Sequence, residues 1–319
     1  MKKKKALKVS VIILAVLAVI ALGGSAYMGY FVTDKVLYQN RGKDTSDNSI
    51  KQLGKWGYDL EAFNNTYSGE EVTVTAEDGN KVPGTYFNNN SDKLVILVHG
   101  AGGDRVCIYP LAECYLKEGY DVIAYDQRGC GKNPDERVSF GILESLDVKA
   151  WVKYAREELG KKEVIVHGQS MGGQTTAVYA SNVIPGEADA ADAVICDSPV
   201  PGMEYMIRYS IGDDDEGAYS AVTDYLVGTS KLYMRLVDGI SYDDGDTTAV
   251  VAKDQLPTLV IVSERDKTCL PEKVEEVYEN VGAEKKEIVY VDSAHIEGVI
   301  DDPEGYMENV DAFLESMGL

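Results

Sequence analysis

The chain has 319 residues and a formal net charge of −22 at pH 7, although residues 1–32 hold five lysines and no acid. Without those lysines, 26 basic residues face 53 acidic ones, so the remainder carries −27. Such a surface repels polyanions, which argues against a nucleic-acid partner. The length left after residue 32 suits one large α/β domain with insertions.

Residues 1–32 predict a cytoplasmic tail followed by a transmembrane anchor. The run 9–32 carries no charge, and its 24 positions exceed the about 20 that a spanning helix needs. Lysines before such a run stay cytoplasmic, so we expect a single-pass membrane protein with an extracellular domain. The alternative is a secreted protein, because Val9–Leu22 matches a signal-peptide core and Gly24-Ser25-Ala26 could be its cleavage site. The run continues through aromatic residues, which favours the retained anchor.

Residues 33–69 are polar with one aromatic cluster and predict a linker with a short helical lead-in. From residue 70 to the C-terminus, apolar runs alternate with helical segments, which predicts the catalytic domain. The expected strands are 71–75, 81–87, 93–99, 121–125, 164–167, 191–196, 257–262 and 285–291. This alternation predicts an α/β fold with a mostly parallel eight-stranded sheet, helices on both faces and an antiparallel edge.

The alternation breaks at residues 200–254, which contain helical patches and acid-rich turns. A connection this long between two strands is usually functional, so we predict a helical lid. The acid runs lack the full ligand pattern of a calcium loop, and the five cysteines lack zinc spacing. We therefore expect no bound metal.

The segment Gly168-Gln169-Ser170-Met171-Gly172 lies between an apolar run and a helix start made of small residues. A Gly-x-Ser-x-Gly turn in this context is a nucleophile elbow, which exposes its serine above the sheet in strained backbone geometry. Glycines are needed because a Cβ would collide with the neighbouring strand or helix. The pattern predicts Ser170 as a nucleophile at a helix N-terminus, where negative charge is favoured.

A serine hydroxyl needs a base within hydrogen-bond reach. The chain has three histidines, and in enzymes with such an elbow the chain order is serine, acid, histidine. His99 and His167 precede Ser170, so we expect structural roles for them. His295 follows the last strand and is the predicted base.

The acid is expected after a strand that lies between Ser170 and His295. Asp266 follows the strand 257–262 and is the favoured candidate. Asp197 ends the preceding strand and remains the alternative acid. If Asp266 is the acid, Asp197 forms local hydrogen bonds beneath the lid.

The oxyanion hole needs two backbone N–H donors. Met171, which follows the nucleophile, supplies one, and the loop after the third strand supplies the other. Ala101 is the favoured donor in that loop and Gly102 the reserve. The loop lacks the Gly-x-Gly-x-x-Gly pattern of a dinucleotide site, so we expect no cofactor.

Taken together, these motifs resemble the α/β-hydrolase superfamily, and within it bacterial serine hydrolases of the serine-aminopeptidase and monoacylglycerol-lipase-like group. The resemblance extends from about residue 70 to the C-terminus and implies the α/β-hydrolase fold with a Ser–Asp–His triad. It is carried by His99-Gly100-Ala101-Gly102, Asp126-Gln127-Arg128-Gly129-Cys130-Gly131, Gly168-Gln169-Ser170-Met171-Gly172-Gly173, Asp266 and His295. Two positions depart from the family pattern: Asn133 replaces a serine, and Ser263 stands in a glycine position of the acid loop.

The sequence therefore predicts a serine hydrolase that cleaves small carboxylic esters through an acyl-enzyme on Ser170. A peptidase acting on short exported peptides is the alternative within enzymes. A catalytically inactive α/β-hydrolase scaffold used for binding is the alternative outside them. The presence of Ser170, Asp266 and His295 argues against the scaffold.

Overall fold

The computed structural model describes residues 2–211 and 220–319, so the predicted acid-rich run 213–216 of the lid lies outside the described residues. The strands are β1 Gly69–Thr75, β2 Lys81–Phe87, β3 Lys93–Val98, β4 Asp121–Tyr125, β5 Glu163–Gln169, β6 Ala193–Asp197, β7 Thr258–Ser263 and β8 Lys286–Val291. Within the described residues they form one eight-stranded sheet in the order β1-β2-β4-β3-β5-β6-β7-β8. Strands β3 to β8 pair in parallel, whereas β2 pairs antiparallel with both β1 and β4. The predicted mostly parallel sheet with an antiparallel edge is confirmed.

Three helices precede the first strand, and the others follow or connect the strands. The helices are α1 Lys2–Leu37, α2 Thr45–Lys55, α3 Leu60–Thr66, α4 Tyr109–Lys117, α5 Glu144–Glu157, α6 Met171–Ala180, α7 Met203–Ser210, α8 Ala221–Tyr233, α9 Thr247–Val250, α10 Pro271–Asn280, α11 Gly298–Asp301 and α12 Pro303–Met317. Many begin at a side-chain cap, as α12 does at Asp302, whose carboxylate accepts a hydrogen bond from the N–H of Gly305.

Alternate side chains of the central strands enter two separate apolar cores. In β3, Val95 and Leu97 pack with residues of α4 and α12. Their neighbours Leu94 and Ile96 pack on the other face, with Trp151 of α5 among others. Side chains that alternate between two cores have the two-residue period of a strand buried on both faces. Both sets of side chains are therefore apolar, and the sequence of β3 is a continuous apolar run. The prediction of helices on both faces is confirmed.

The predicted lid region contains α7, α8 and α9 in its described part. A third apolar core joins it to the domain, and Met203 of α7 and Val227 of α8 pack there with Met171, the residue after Ser170. The hydroxyl of Tyr205 on α7 also donates a hydrogen bond of 2.8 Å to the carbonyl oxygen of Thr268. The region therefore lies against the residues that flank Ser170 and Asp266.

Helix α1 contains the uncharged run and continues to Leu37 without a break at residue 32. The segment Lys4–Leu37 is long and apolar enough to cross a membrane, with a mean hydropathy of 2.6 in its most apolar window. By length and composition alone, a signal sequence would meet the same test. At the C-terminal end of α1, the carbonyl oxygen of Leu37 accepts a hydrogen bond of 2.6 Å from the N–H of Val138.

Candidate active site

The predicted nucleophile occupies a sharp turn between β5 and α6. Ser170 has a φ of +58°, a conformation that costs a non-glycine residue energy and is found at functional turns. A Cβ on Gly172 would lie 1.9 Å from the carbonyl oxygen of Val98, and one on Gly168 would lie 2.1 Å from that of Gly172. Only glycine fits these two positions, which is the steric reason for the Gly-x-Ser-x-Gly pattern.

A chain of hydrogen bonds joins Ser170, His295 and Asp266. The Oγ of Ser170 lies 2.8 Å from Nε2 of His295, and Nδ1 of His295 lies 2.5 Å from Oδ2 of Asp266. Asp266 and Ser170 are buried, and His295 keeps 19% of its side chain exposed. The predicted serine, base and favoured acid, which are far apart in the sequence, are thus in direct contact.

Backbone donors fix the carboxylate of Asp266 in the loop after β7. Its Oδ1 accepts hydrogen bonds from the N–H groups of Thr268 at 2.7 Å and Cys269 at 2.9 Å. The other oxygen, Oδ2, is left to face His295. Since a carboxylate that accepts at Nδ1 stabilises the tautomer protonated there, Nε2 of His295 is available to accept the proton of Ser170.

Asp197, the alternative acid, has different partners. Its carboxylate accepts hydrogen bonds from Tyr306 at 2.9 Å, Gln169 at 3.0 Å and Ser198 at 3.0 Å. Burial raises the pKa of Asp197 above its ordinary value. Both ring nitrogens of His295 are already occupied by other groups, so the contacts of Asp197 are those of a buried local network.

His99 and His167 are both fully buried. The Nε2 of His99 accepts a hydrogen bond of 3.0 Å from the N–H of Gln127, so its Nδ1 donates to the carbonyl oxygen of Gly100 at 2.7 Å. His167 contacts the hydroxyls of Tyr115 at 2.9 Å and Tyr306 at 3.0 Å. Burial lowers the pKa of His167 to about 3 and also lowers that of His99, so both stay neutral near pH 7.

The loop that holds the predicted oxyanion donor Ala101 lies beside the nucleophile. A Cβ on Gly100 would lie 3.3 Å from the Cβ of Ser170, and Met171, the other predicted donor, begins α6 directly after the serine. Gly102 has a φ of +77°, which favours glycine. The loop that contains Ala101 therefore lies next to the turn that is followed by Met171.

The sequence analysis did not identify three residues that contact the loops of this site. Two lie on α2, and the third, Trp56, directly follows it. Asn48 donates a hydrogen bond of 3.0 Å to the carbonyl oxygen of Gly102, and the hydroxyl of Ser49 accepts one of 2.8 Å from the N–H of Asp104. The indole N–H of Trp56 donates to Glu297, two residues after His295, at 2.9 Å. The polar composition of 33–69 gives no signal for these contacts, because they depend on where α2 packs.

One group of possible metal ligands coincides with this site. Donor atoms of Asp266, Cys269 and His295 lie within 4.8 Å of one another. Burial raises the pKa of the Cys269 thiol well above its ordinary value, which disfavours the thiolate that metals bind. Because His295 bridges Ser170 and Asp266 through both nitrogens, the arrangement suits proton transfer better than metal binding.

Comparisons with known proteins agree with this architecture. A family model described as the alpha/beta hydrolase fold matches residues 93–217. The esterase Pf2001 of Pyrococcus furiosus superposes with a TM-score of 0.64 at 24% identity, covering 81% of this chain and 96% of the esterase.

Two sequence relatives cover most of the chain. The uncharacterized protein YqkD of Bacillus subtilis (strain 168) is 23% identical over 86% of this chain and 88% of its own length. A thermostable monoacylglycerol lipase of Bacillus sp. (strain H-257) is 25% identical over 68% of this chain and 87% of its own length.

We expect His167 to make the free energy of unfolding depend on pH. Its folded pKa is about 3, whereas the unfolded chain has the ordinary value of about 6.5. Below about pH 6.5 the unfolded chain binds a proton that the folded chain does not, so stability falls toward acid by about 1.4 kcal/mol per pH unit. Replacement His167→Gln should remove this contribution, measured by urea unfolding of the full chain in detergent.

The matched control for this measurement is Tyr115→Phe, which removes a hydroxyl partner of the same imidazole but keeps the titrating group. That variant should retain the slope of the parent protein. Identical slopes for the parent and His167→Gln between about pH 6.5 and 4.5 would contradict the assignment.

Proposed function

Because this chain belongs to the α/β-hydrolase superfamily and is a hydrolase of that type, we propose that it cleaves carboxylic esters through an acyl-enzyme formed on Ser170. The observation that carries the proposal is the hydrogen-bonded series Ser170–His295–Asp266. A nucleophile, a base within reach and a group that orients the base are the parts that nucleophilic catalysis requires.

In the proposed reaction, Oγ of Ser170 attacks the ester carbonyl while Nε2 of His295 takes its proton. The imidazolium that forms is stabilised by Asp266, whose second oxygen is held by two backbone N–H groups. His295 then returns the proton to the leaving alcohol. Water attacks the acyl-enzyme with His295 again as the base, which releases the carboxylic acid and restores the hydroxyl of Ser170.

The oxyanion of each tetrahedral intermediate is proposed to bind the N–H groups of Ala101 and Met171. Support comes from the position of Met171 at the first turn of α6, where the helix dipole favours negative charge. The neighbouring loop is held by Asn48 and Ser49 of α2. A loop fixed in this way needs little rearrangement as charge develops.

We propose that the acyl chain of the substrate binds between the lid region and Ser170. The apolar core that contains Met203 and Val227 also contains Met171, so apolar side chains lie next to the proposed oxyanion donors. The similarity to a monoacylglycerol lipase over 68% of this chain points the same way. Parallel assays with p-nitrophenyl esters and aminoacyl anilides distinguish this activity from that of a peptidase.

The proposed location is the cell membrane, with the tail before α1 in the cytoplasm and the catalytic domain outside. Lysines precede the uncharged run, and positive charge marks the cytoplasmic end of a spanning helix. The partner implied is the lipid bilayer around α1.

Substitutions in the series Ser170–His295–Asp266 should abolish turnover to different degrees. Either Ser170→Ala or His295→Ala should lower kcat by about a million-fold, and the double change should add little because the two residues act as a unit. Asp266→Asn should cost about ten-thousand-fold, because the acid orients and stabilises the imidazolium. Ester hydrolysis and labelling by a fluorophosphonate probe measure these losses.

Controls for this test are His99→Gln and His167→Gln, which should show modest losses because neither histidine contacts Ser170. Asp197→Asn tests the alternative acid. If folded Asp197→Asn protein loses turnover while Asp266→Asn stays near normal, the acid has been assigned to the wrong strand.

The lid should set the preference for acyl-chain length. We expect Met203→Ala, Met206→Ala or Leu226→Ala to change the ratio of kcat/KM between short-chain and long-chain esters, with about 1–3 kcal/mol for each methylene of pocket contact. Leu232→Ala is the matched control, since Leu232 lies on α8 with 60% of its surface exposed. An unchanged preference in the first three variants would locate the acyl pocket elsewhere.

The membrane topology can be tested by proteolysis. Protease added to intact cells should digest the domain, because the proposal places it outside. Protection until the cells are lysed would contradict the topology. A mature chain that begins near Tyr27 would instead select the secreted alternative.

A further inference from the structure

Helix α1 has two parts with different surroundings. Every residue from Lys4 to Gly24 is exposed. From Ser25 to Leu37, most buried or partly buried positions recur every three or four residues, at 25, 28, 29, 32, 33, 36 and 37, and position 34 is also partly buried. This period marks one face of a helix packed against the protein.

The partner of that face is lid helix α8. The hydroxyls of Ser25 and Tyr225 lie 2.8 Å apart, and those of Thr33 and Ser230 lie 3.0 Å apart. A Cβ on Gly29 would lie 2.5 Å from the carbonyl oxygen of Thr229, so the two backbones approach as closely as only glycine allows. Because the residue numbers of the bonded pairs increase together, the two helices run in the same direction.

The free part of α1 is too short to cross a bilayer alone. The uncharged stretch Val9–Gly24 has 16 residues, or about 24 Å at 1.5 Å per residue. The hydrocarbon core is about 30 Å thick, so about four more residues must enter it. Those residues, 25–28, lie in the part of α1 that packs on α8. Completing the span therefore brings the first turn of α8 to the outer boundary of the hydrocarbon.

The side chains at that end of α8 suit such a location. Val222 is 67% exposed and Tyr225 is 47% exposed, and on α1 the ring of Tyr27 is 63% exposed. The nearby charged residue of α8, Asp224, is paired with Arg208 at 3.0 Å. Exposed apolar groups beside aromatic rings are typical of the membrane–water boundary.

We propose that the α1–α8 pair enters the outer leaflet together, so that Val222 and Tyr225 contact lipid at the headgroup–acyl boundary and the lid is a membrane-bound surface. This inference rests on the proposed membrane span. The occupant of the exposed face of α8 is the bilayer that surrounds α1. Farther along α8, Val227 belongs to the same apolar core as Met171, the residue beside the proposed nucleophile.

Tryptophan quenching tests the depth of α8. The full chain is placed in phosphatidylcholine nanodiscs whose acyl chains carry bromine, with tryptophan introduced as Val222→Trp, Ile13→Trp or Ile184→Trp. Trp56 and Trp151 of the parent protein give the background. Fluorophosphonate labelling equal to that of the parent confirms that each variant is folded.

We expect several-fold stronger quenching at positions 13 and 222 than at position 184. Ile184, which is 59% exposed, lies beyond the C-terminal end of α6, whereas the elbow lies at the N-terminal end of that helix. Quenching at position 13 but not at position 222 would overturn the proposed lipid contact of α8, while still supporting a membrane-spanning α1. Absence of quenching at both positions overturns the span as well. Protection of position 222 from both bromolipid and aqueous acrylamide would indicate a protein partner instead and also overturns the inference.

A pair of glycine substitutions tests whether α1 holds α8 at this depth. Gly29→Leu should separate the helices and reduce quenching at Val222→Trp to the level at Ile184→Trp. Gly24→Leu is the matched control, because a Cβ there meets nothing within 4 Å, and it should leave quenching unchanged. Equal quenching in the two backgrounds would overturn the role of the helix pair.

Discussion

The contact between the first turn of α6 and the end of β3 is the constraint around which the site is arranged. With the Cβ position of Gly172 only 1.9 Å from the carbonyl oxygen of Val98, α6 can start here only if that residue is glycine. The chain must then turn sharply out of β5, which places Ser170 at positive φ. This close contact also places Gly100 and the loop after β3 next to Ser170. The nucleophile and the loop that contains the proposed oxyanion donor Ala101 are therefore positioned by the same packing.

The order of the strands explains why polar residues so distant in sequence meet at this turn. Strands β5, β6, β7 and β8 are consecutive neighbours, and in a parallel sheet their carboxyl ends lie along one edge. Hydroxyls link the loops that follow them: the Oγ atoms of Ser198 and Ser263 lie 3.1 Å apart, and those of Ser293 and Ser263 lie 3.3 Å apart. The loops that carry Asp266 and His295 are therefore braced against the strand that ends in Asp197.

The end of α1, together with α2 and the residues that follow it, contacts several loops of the catalytic domain. Leu37 bonds to Val138, Asn48 holds the loop at Gly102, and Trp56 reaches the loop of His295 through Glu297. The end of α1 also packs on the lid through α8. The proposed anchor therefore packs against the lid region, and α2 and Trp56 contact the two loops beside the site.

The sequence by itself determined the fold class and the candidate residues Ser170, Asp266 and His295, because strand period, glycine sterics and chain order are local or one-dimensional properties. It left Asp197 open as the acid, because both aspartates follow a strand and spacing cannot say which carboxylate faces the imidazole. Tertiary structure brought Asp266 to His295 and surrounded Asp197 with Tyr306 and Gln169. The tertiary structure also determined which surfaces α2 and the end of α1 contact. The composition of a polar or uncharged segment does not indicate the surface on which it packs.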